Sequence, residues 1–404
     1  MNQLPHGQFT REVCTRLSQA LWSGGLCQKC LNPNNDGTSP GCECPVSRAR
    51  RYFRFYETVI QDYHDATSSP IFKTHHDIFR VIVHLRTNPQ LTRRELREFI
   101  APSCSDVEEL DRSTALVVRI QAMLECSIGY QSGGRLEKGL SSLPWNDDSS
   151  IASYVNAAFA IQNQRPLWDS DLRHGSKSTL RATKLRRRLK LRFRPTHDIR
   201  NHLRLDLHRG ELEIFHHAAF LKEQLRASPP ARDRSNGASD PPPLLPRQLL
   251  LEILDSLQRI LFPLDDAASK KLLRRLIESP DTNFDPSLLQ FEYSSLHRHR
   301  DTASSVAALG RRQSNKAYST TGRDQGGVQY LYLAARLSEL REELDNPSPR
   351  GWLQRRLQRR SSARYVMMVT LAGVVFAVLS LVMSAIQTWI AYQAWKAPNN
   401  PSTP

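Results

Sequence analysis

RATKLRRRLKLRFRPTHDIRNHLRLDLHRGELEIFHHAAFLKEQL, residues 181–225, changes its periodicity several times within one run. Leu189, Leu191 and Phe193 alternate with Lys190, Arg192 and Arg194, which predicts a strand with one apolar and one cationic face. His197–His202 is long enough for a single helical turn. LRLDL, then HRG, then ELEIF reads as a hairpin, and His217–Leu225 reads as a helix. Strand, turn, hairpin and helix in succession predict a small α/β segment at about 185–225 inside a chain that is otherwise mainly α.

Helical spacing dominates on both sides. Ser47–His64 places Tyr52, Phe53, Tyr56 and Ile60 on one stripe, and Thr74–Leu85 does the same with Ile78, Val81, Ile82 and Leu85. Thr92 with Glu95 spells a capping box, and Ser105 with Glu108 spells a second one before a long helix through Leu124. Ser149–Ile161, Arg247–Phe262 and Ala267–Ile277 are further helices by pattern. Over Val328–Asp345 the apolar residues Tyr330, Leu333, Leu337, Leu340 and Leu344 form a two-heptad seam. It either pairs with a second copy or packs on its own domain.

Composition shifts divide the chain. Residues 1–45 form a cysteine-bearing arm and 46–165 a helical domain. The basic α/β segment occupies 166–226, a Pro-rich linker 227–246, and a helical segment 247–297. Residues 298–327 are polar, Ser- and Arg-rich, and expected to be disordered. An amphipathic helix at 328–350 then leads to a basic juxtamembrane segment at 351–364, a transmembrane helix at 365–390 and a short tail at 391–404.

The transmembrane expectation rests on Tyr365–Ile386, 22 residues without a charge. As a helix this run reaches roughly 33 Å, enough to cross a hydrocarbon core of about 30 Å. Thr370, Ser380 and Ser384 interrupt it, and each hydroxyl can bond back to the helix backbone. Arg355, Arg356, Arg359, Arg360 and Arg364 precede the run and only Lys396 follows, so the positive-inside rule predicts a cytosolic N-terminal body. The short stretch after the span predicts a tail-anchored, single-pass layout in a membrane whose identity the residues leave open. GWLQRRLQRRSS at 351–362 reads as an interfacial helix attracted to anionic lipid. Gly373 with Ala377, and Ser380 with Ser384, are spaced as small residues at helix–helix contacts, which makes a homodimer through the span a candidate.

The formal net charge is +16 over 404 residues, a balance that favours anionic partners. Thirteen Lys and Arg against two Asp fall between Arg173 and Arg209, a net +11 in that window. Arg186, Arg187, Arg188, Lys190, Arg192 and Arg194 are the candidate anion-binding residues, for acidic proteins or lipid headgroups in the first place and for nucleic acid in the second. Phe193 is the only aromatic in that run, which gives base stacking little support.

Seven cysteines are too few and too odd for a disulfide framework and point to a reducing compartment. Cys27, Cys30, Cys42 and Cys44 combine CxxC with CxC and are candidate zinc ligands. The histidines at 202, 208, 216 and 217 lack zincin spacing and are assigned a structural role. Ser314, Ser361 and Ser362 follow arginine pairs as in basophilic kinase sites. Phosphate on Ser361 or Ser362 would oppose the neighbouring arginines at an anionic leaflet. Nucleophile elbows, phosphate loops, dinucleotide fingerprints and kinase signatures do not occur, so no catalytic residue is assigned.

DRSTALVVRIQAMLECS (111–127), GRLEKGLSSLPW (134–145), DIRNHLRLDLHRGELEIFHHAAFL (198–221) and the run from SSARYVMMVT to AYQAWK (361–396) resemble a family of filamentous-fungal proteins with no established activity. The resemblance implies a helical N-terminal part, an HLRL…IFHHAAFL segment, a C-terminal membrane helix and a fungal origin. It implies no site. The reading from residues is therefore an interaction or scaffold protein on a membrane. The alternatives are a membrane-tethered nucleic-acid binder using 173–209, or an enzyme of unfamiliar type.

Overall fold

The computed structural model describes residues 10–22, 44–66, 69–102, 106–126, 144–159, 167–168, 180–228, 243–290, 329–347 and 363–396, the last with side chains from residue 370. Thirteen α-helices and two small sheets are seen among the described residues. The chain forms two compact units, Met1–Asn346 and Pro347–Pro404.

The first unit begins with α1 (Arg11–Trp22), which buries Val13, Leu17, Leu21 and Trp22. That stretch was expected to belong to a cysteine-bearing arm. It is instead core, because its apolar residues fall on one helical face. A single turn, α2 (Pro45–Arg48), leads into α3 (Arg50–Asp65), which buries Tyr52, Phe53, Phe55, Tyr56, Val59, Ile60 and Tyr63. Tyr52 sits at the centre: it stacks on Phe220 at 5.2 Å, meets Trp22 at 5.6 Å, and donates to the Ile120 carbonyl at 2.5 Å.

Local capping chemistry sets several helix starts. Thr74 closes a capping box with Asp77 at the start of α4 (His75–Thr87), and Thr92 closes one with Glu95 at the start of α5 (Arg93–Ile100). For α6 (Val107–Ala122) the cap is Asp106, whose carboxylate accepts from Glu108 N and Glu109 N at 3.1 Å, in place of the expected Ser105. The Asp carboxylate is also a favoured cap, and its charge complements the positive helix N-terminus as a Ser hydroxyl does not. Ser150 caps α7 (Ile151–Ala158).

The expected strand from Leu189 is shorter than the alternation implied. Ala182–Leu189 is a helix, α8, which buries Ala182, Leu185 and Leu189. Lys190 then takes a left-handed backbone, φ 52°, and only Arg192–Thr196 forms β2. The alternation over 189–194 and a helical repeat over 182–189 share Leu189, and burial of the Leu185–Leu189 pair decides for the helix. A three-residue 3-10 turn (Ile199–Asn201) follows, then β3 (Arg204–Asp206) and β4 (Glu211–Phe215) as the expected hairpin. Gly210, φ 66°, supplies the positive backbone angle its turn requires. The sheet order is β2-β4-β3, with β2 parallel and β3 antiparallel to β4.

After β4 comes α9 (Ala218–Ala227). The next helix, α10 (Arg247–Asp255), continues as a π-helical turn through Leu261, and α11 (Ala267–Glu278) follows. Leu167–Trp168 (β1) pairs antiparallel with Gln329–Tyr330 (β5), and α12 (Ala334–Asp345) completes the unit. Tyr330, Leu333, Leu337, Leu340 and Leu344 are all buried here, so the seam packs within its own unit.

The second unit contains α13 (Ala363–Lys396), of which Thr370–Lys396 is long and apolar enough to cross a membrane. Its side chains from Thr370 onward are exposed along the whole length, unlike those of an apolar helix in a soluble core. Ser380 donates to Ala377 O at 2.9 Å and Thr388 to Ser384 O at 2.8 Å, so these hydroxyls are satisfied within the helix.

Candidate functional site

Two arrangements of side chains bear on function, a cationic groove and a histidine cluster. The groove lies between α8 and α11. Arg186 and Arg187 come from the last turns of α8, where cations are favoured by the helix C-terminus. Lys271 and Arg275 come from α11, four residues apart and therefore on one face. With Thr183, Ala268 and Leu272 they line a cavity of about 530 Å³ that contains no acidic residue. Arg181 pairs with Asp266 at 3.7 Å and ties the start of one helix to the cap of the other. Among the described residues, Arg186, Arg187, Lys271 and Arg275 form no ion pair. Like charges at i,i+4 cost a few tenths of a kcal/mol, and a bound anion would reverse that sign.

The sequence-based anion set divides across three elements. Arg186 and Arg187 enter the groove. Arg188 is exposed on α8, and Lys190 is exposed at the left-handed residue that ends it. Arg192 and Arg194 are exposed on β2, and Arg194 approaches Glu211 at 3.6 Å. Phe193, between them, is buried edge-on against Phe262 at 5.9 Å. Lys271 and Arg275 did not enter the sequence-based set. Their signal was legible as KKLLRR over 270–275, but only tertiary packing sets that face opposite Arg186 and Arg187.

The second arrangement sits at the C-terminal ends of β2 and β4. Parallel register places Thr196 opposite Phe215, so His197 and His216 emerge side by side. His217 begins α9 with φ −79° and ψ 67°, so it does not continue the strand. His216 and His217, expected on opposite sides in an extended chain, therefore have ring centroids 4.1 Å apart. His197 Nδ1 lies 2.7 Å from His217 Nε2, and His216 Nδ1 donates to the Thr196 carbonyl at 3.2 Å. One nitrogen from each of the three rings lies within 4.8 Å of the others. Both flanks of the cluster are fixed. Ile199 N bonds Met123 O at 3.0 Å and Arg200 grips Asp198, while Ala219 N bonds Asp285 at 2.9 Å. Burial pushes the pKa of His197 down to about 4 and that of His216 to about 3, so these imidazoles are neutral near pH 7.

The remaining sequence-based histidines part ways. His208 is exposed beyond β3. His202 is wholly buried: it accepts from Phe215 N at 3.2 Å and contacts Ser256 Oγ at 2.8 Å, a structural role. Cys44 is buried just before α2, whereas Cys27, Cys30 and Cys42 lie outside the described residues. Also outside them are Ser314, Ser361 and Ser362, the juxtamembrane Arg355, Arg356, Arg359 and Arg360, and the side chains of Arg364 and Tyr365. Ile386 is exposed within the apolar span of α13.

Comparison with known protein families, with curated proteins and with solved structures finds no match to this chain. The molecule is therefore defined by its own parts: a mainly helical body with a three-stranded sheet, a cationic groove, a histidine cluster, and one apolar helix fit to span a bilayer.

Proposed function

We propose that this chain is an interaction protein held on a membrane by α13, with a cytosolic body that recognises an anionic group in the groove between α8 and α11. The observation that carries the reading is the set of four cations, Arg186, Arg187, Lys271 and Arg275, that line one groove and form no ion pair among the described residues. Cations at the mouth of a concave site attract phosphate and carboxylate, and guanidinium pairs bind both bidentately. The groove lies open to solvent and offers about 530 Å³, room for a charged group that stays partly hydrated. The membrane span supports a phosphorylated lipid headgroup over a freely diffusing partner, because a tether raises the effective concentration of headgroups. An acidic protein segment offers the same charges. The burial of Phe193 weighs against single-stranded nucleic acid, which needs exposed aromatic rings to stack its bases.

Full-length protein reconstituted in neutral-lipid discs tests the reading. A soluble inositol phosphate should bind, and Lys271→Glu with Arg275→Glu should lose most of that binding while leaving the fold intact. An acidic peptide and a single-stranded RNA serve as competitors. Stronger binding to RNA, steeply salt-dependent and insensitive to the α11 substitutions, would favour the nucleic-acid alternative instead.

A further inference from the structure

We propose that His197, His216 and His217 form a binding site for a divalent first-row transition cation of the zinc class, at the C-terminal ends of two parallel strands. The site is independent of the cationic groove and of whatever occupies it.

Geometry comes first. Zinc–imidazole bonds of about 2.0–2.1 Å place ligand nitrogens about 3.3 Å apart around a tetrahedral centre. One nitrogen of each ring already lies within 4.8 Å of the others, and His197 Nδ1 is 2.7 Å from His217 Nε2. A common centre requires the rings to turn so that the 2.7 Å pair opens and the wider separations close towards the tetrahedral spacing.

Tautomers point the same way. A carbonyl oxygen only accepts, so the His216 Nδ1 bond to Thr196 O puts the ring proton on Nδ1 and leaves the Nε2 lone pair free for a metal. A backbone carbonyl that orients a ligating imidazole is the usual outer support of such sites. Between His197 Nδ1 and His217 Nε2 there is room for one proton only, and a cation can take its place. His217 Nδ1 is buried without a hydrogen-bond partner among the described residues.

The surroundings define the remaining coordination. Phe55 packs on His197 at 5.1 Å and on His217 at 5.2 Å, and Phe284 lies 5.8 Å from His216. These rings give the inner side an apolar wall. The His197 ring is covered on one side by Phe55 and His217, while the residue as a whole is exposed, so its open side faces solvent and a fourth position takes water or a small anion. Asp62 acts on His197 as the nearby acid, opposed by Arg119, while Arg51 acts on His216 and His217. Three neutral ligands beside those arginines leave the centre cationic, which favours an anionic fourth ligand over a neutral one. Imidazole donors select zinc, copper and nickel over calcium and magnesium.

The test uses full-length protein in detergent, stripped with a chelator, dialysed, and titrated with Zn²⁺ and with Co²⁺ as a spectroscopic probe. One equivalent should bind and raise the melting temperature, and cobalt should show visible bands without thiolate charge transfer. His197→Ala removes an exposed side chain and should weaken binding by about tenfold or more, with near-UV circular dichroism unchanged. Cys27→Ser with Cys30→Ser should bind as the parent does, which separates this site from the cysteine arm. His216→Gln should abolish binding. If that variant unfolds, His197→Ala decides. No metal uptake by the parent protein, or unaltered uptake by His197→Ala, overturns the proposal.

Discussion

Arg48 lays its guanidinium across the carboxylate of Glu223, with Nε 2.6 Å from one oxygen and Nη2 2.9 Å from the other. The pair joins α2 to α9 across 175 residues of sequence, and Glu223 is almost wholly buried. Arg48→Ala would leave a buried carboxylate with Arg226 as its remaining cationic neighbour. We expect a loss of about 3 kcal/mol, the lower end of what breaking a buried pair costs. Urea unfolding of the full-length protein in detergent measures it, and an unshifted midpoint would refute the expectation.

Glu252 is buried beneath the start of α12 and accepts from Leu331 N at 2.7 Å and from Tyr332 N and Leu333 N at 2.9 Å. Burial raises its pKa while those backbone donors pull the other way. Glu252→Gln keeps the shape but turns one acceptor into a donor facing N–H groups. A loss of about 2 kcal/mol should follow, the scale of one buried unsatisfied group. Hydrogen exchange should quicken at residues 331–337 before elsewhere. Uniform acceleration across the body would argue against a local role.

Acid should destabilise the body through two histidines outside the proposed metal cluster. Burial pushes His75, which bonds Tyr56 at 2.8 Å, down to about 4, and His64 adds to that shift. Burial pushes His202 down to about 3, helped by Arg336, which donates to the His202 carbonyl. In the unfolded chain both take a proton near pH 6.5, the ordinary value. Between those limits the unfolded chain holds more protons, so stability is complete above about pH 6.5 and falls as pH drops towards 4. A fully buried histidine contributes a slope of up to about 1.4 kcal/mol per pH unit. Thermal unfolding against pH should show this fall, and His202→Asn should flatten it. A flat profile in the parent protein would contradict the argument.

The apolar helix gives a prediction about cells. Leu379 lies within the span Thr370–Lys396 and is 54% exposed. Leu379→Arg places a charge where insertion costs about 3 kcal/mol. The parent protein should stay in the pellet after alkaline carbonate washing, and the variant should partition partly into the supernatant. Equal retention of the two would remove the membrane reading of this helix.

Features whose energetics close within a few residues could be read from the chain alone. The Thr92–Glu95 capping box depends on atoms three positions apart, and the span depends on the absence of charge, so neither needs a distant partner. The hairpin of β3 and β4 was legible for the same reason. At 182–194 two periods overlap in the residues themselves, and only burial of Leu185 and Leu189 against the rest of the body chose helix over strand. The groove needed α11 set against α8, some 80 residues apart. His197 joined His216 and His217 only because β2 and β4 pair in parallel with Thr196 opposite Phe215, a register enforced by long-range hydrogen bonds rather than by neighbours in sequence. Local hydrogen bonding and solvent affinity were thus written in the chain itself, while the meeting of side chains from separate elements was decided by packing.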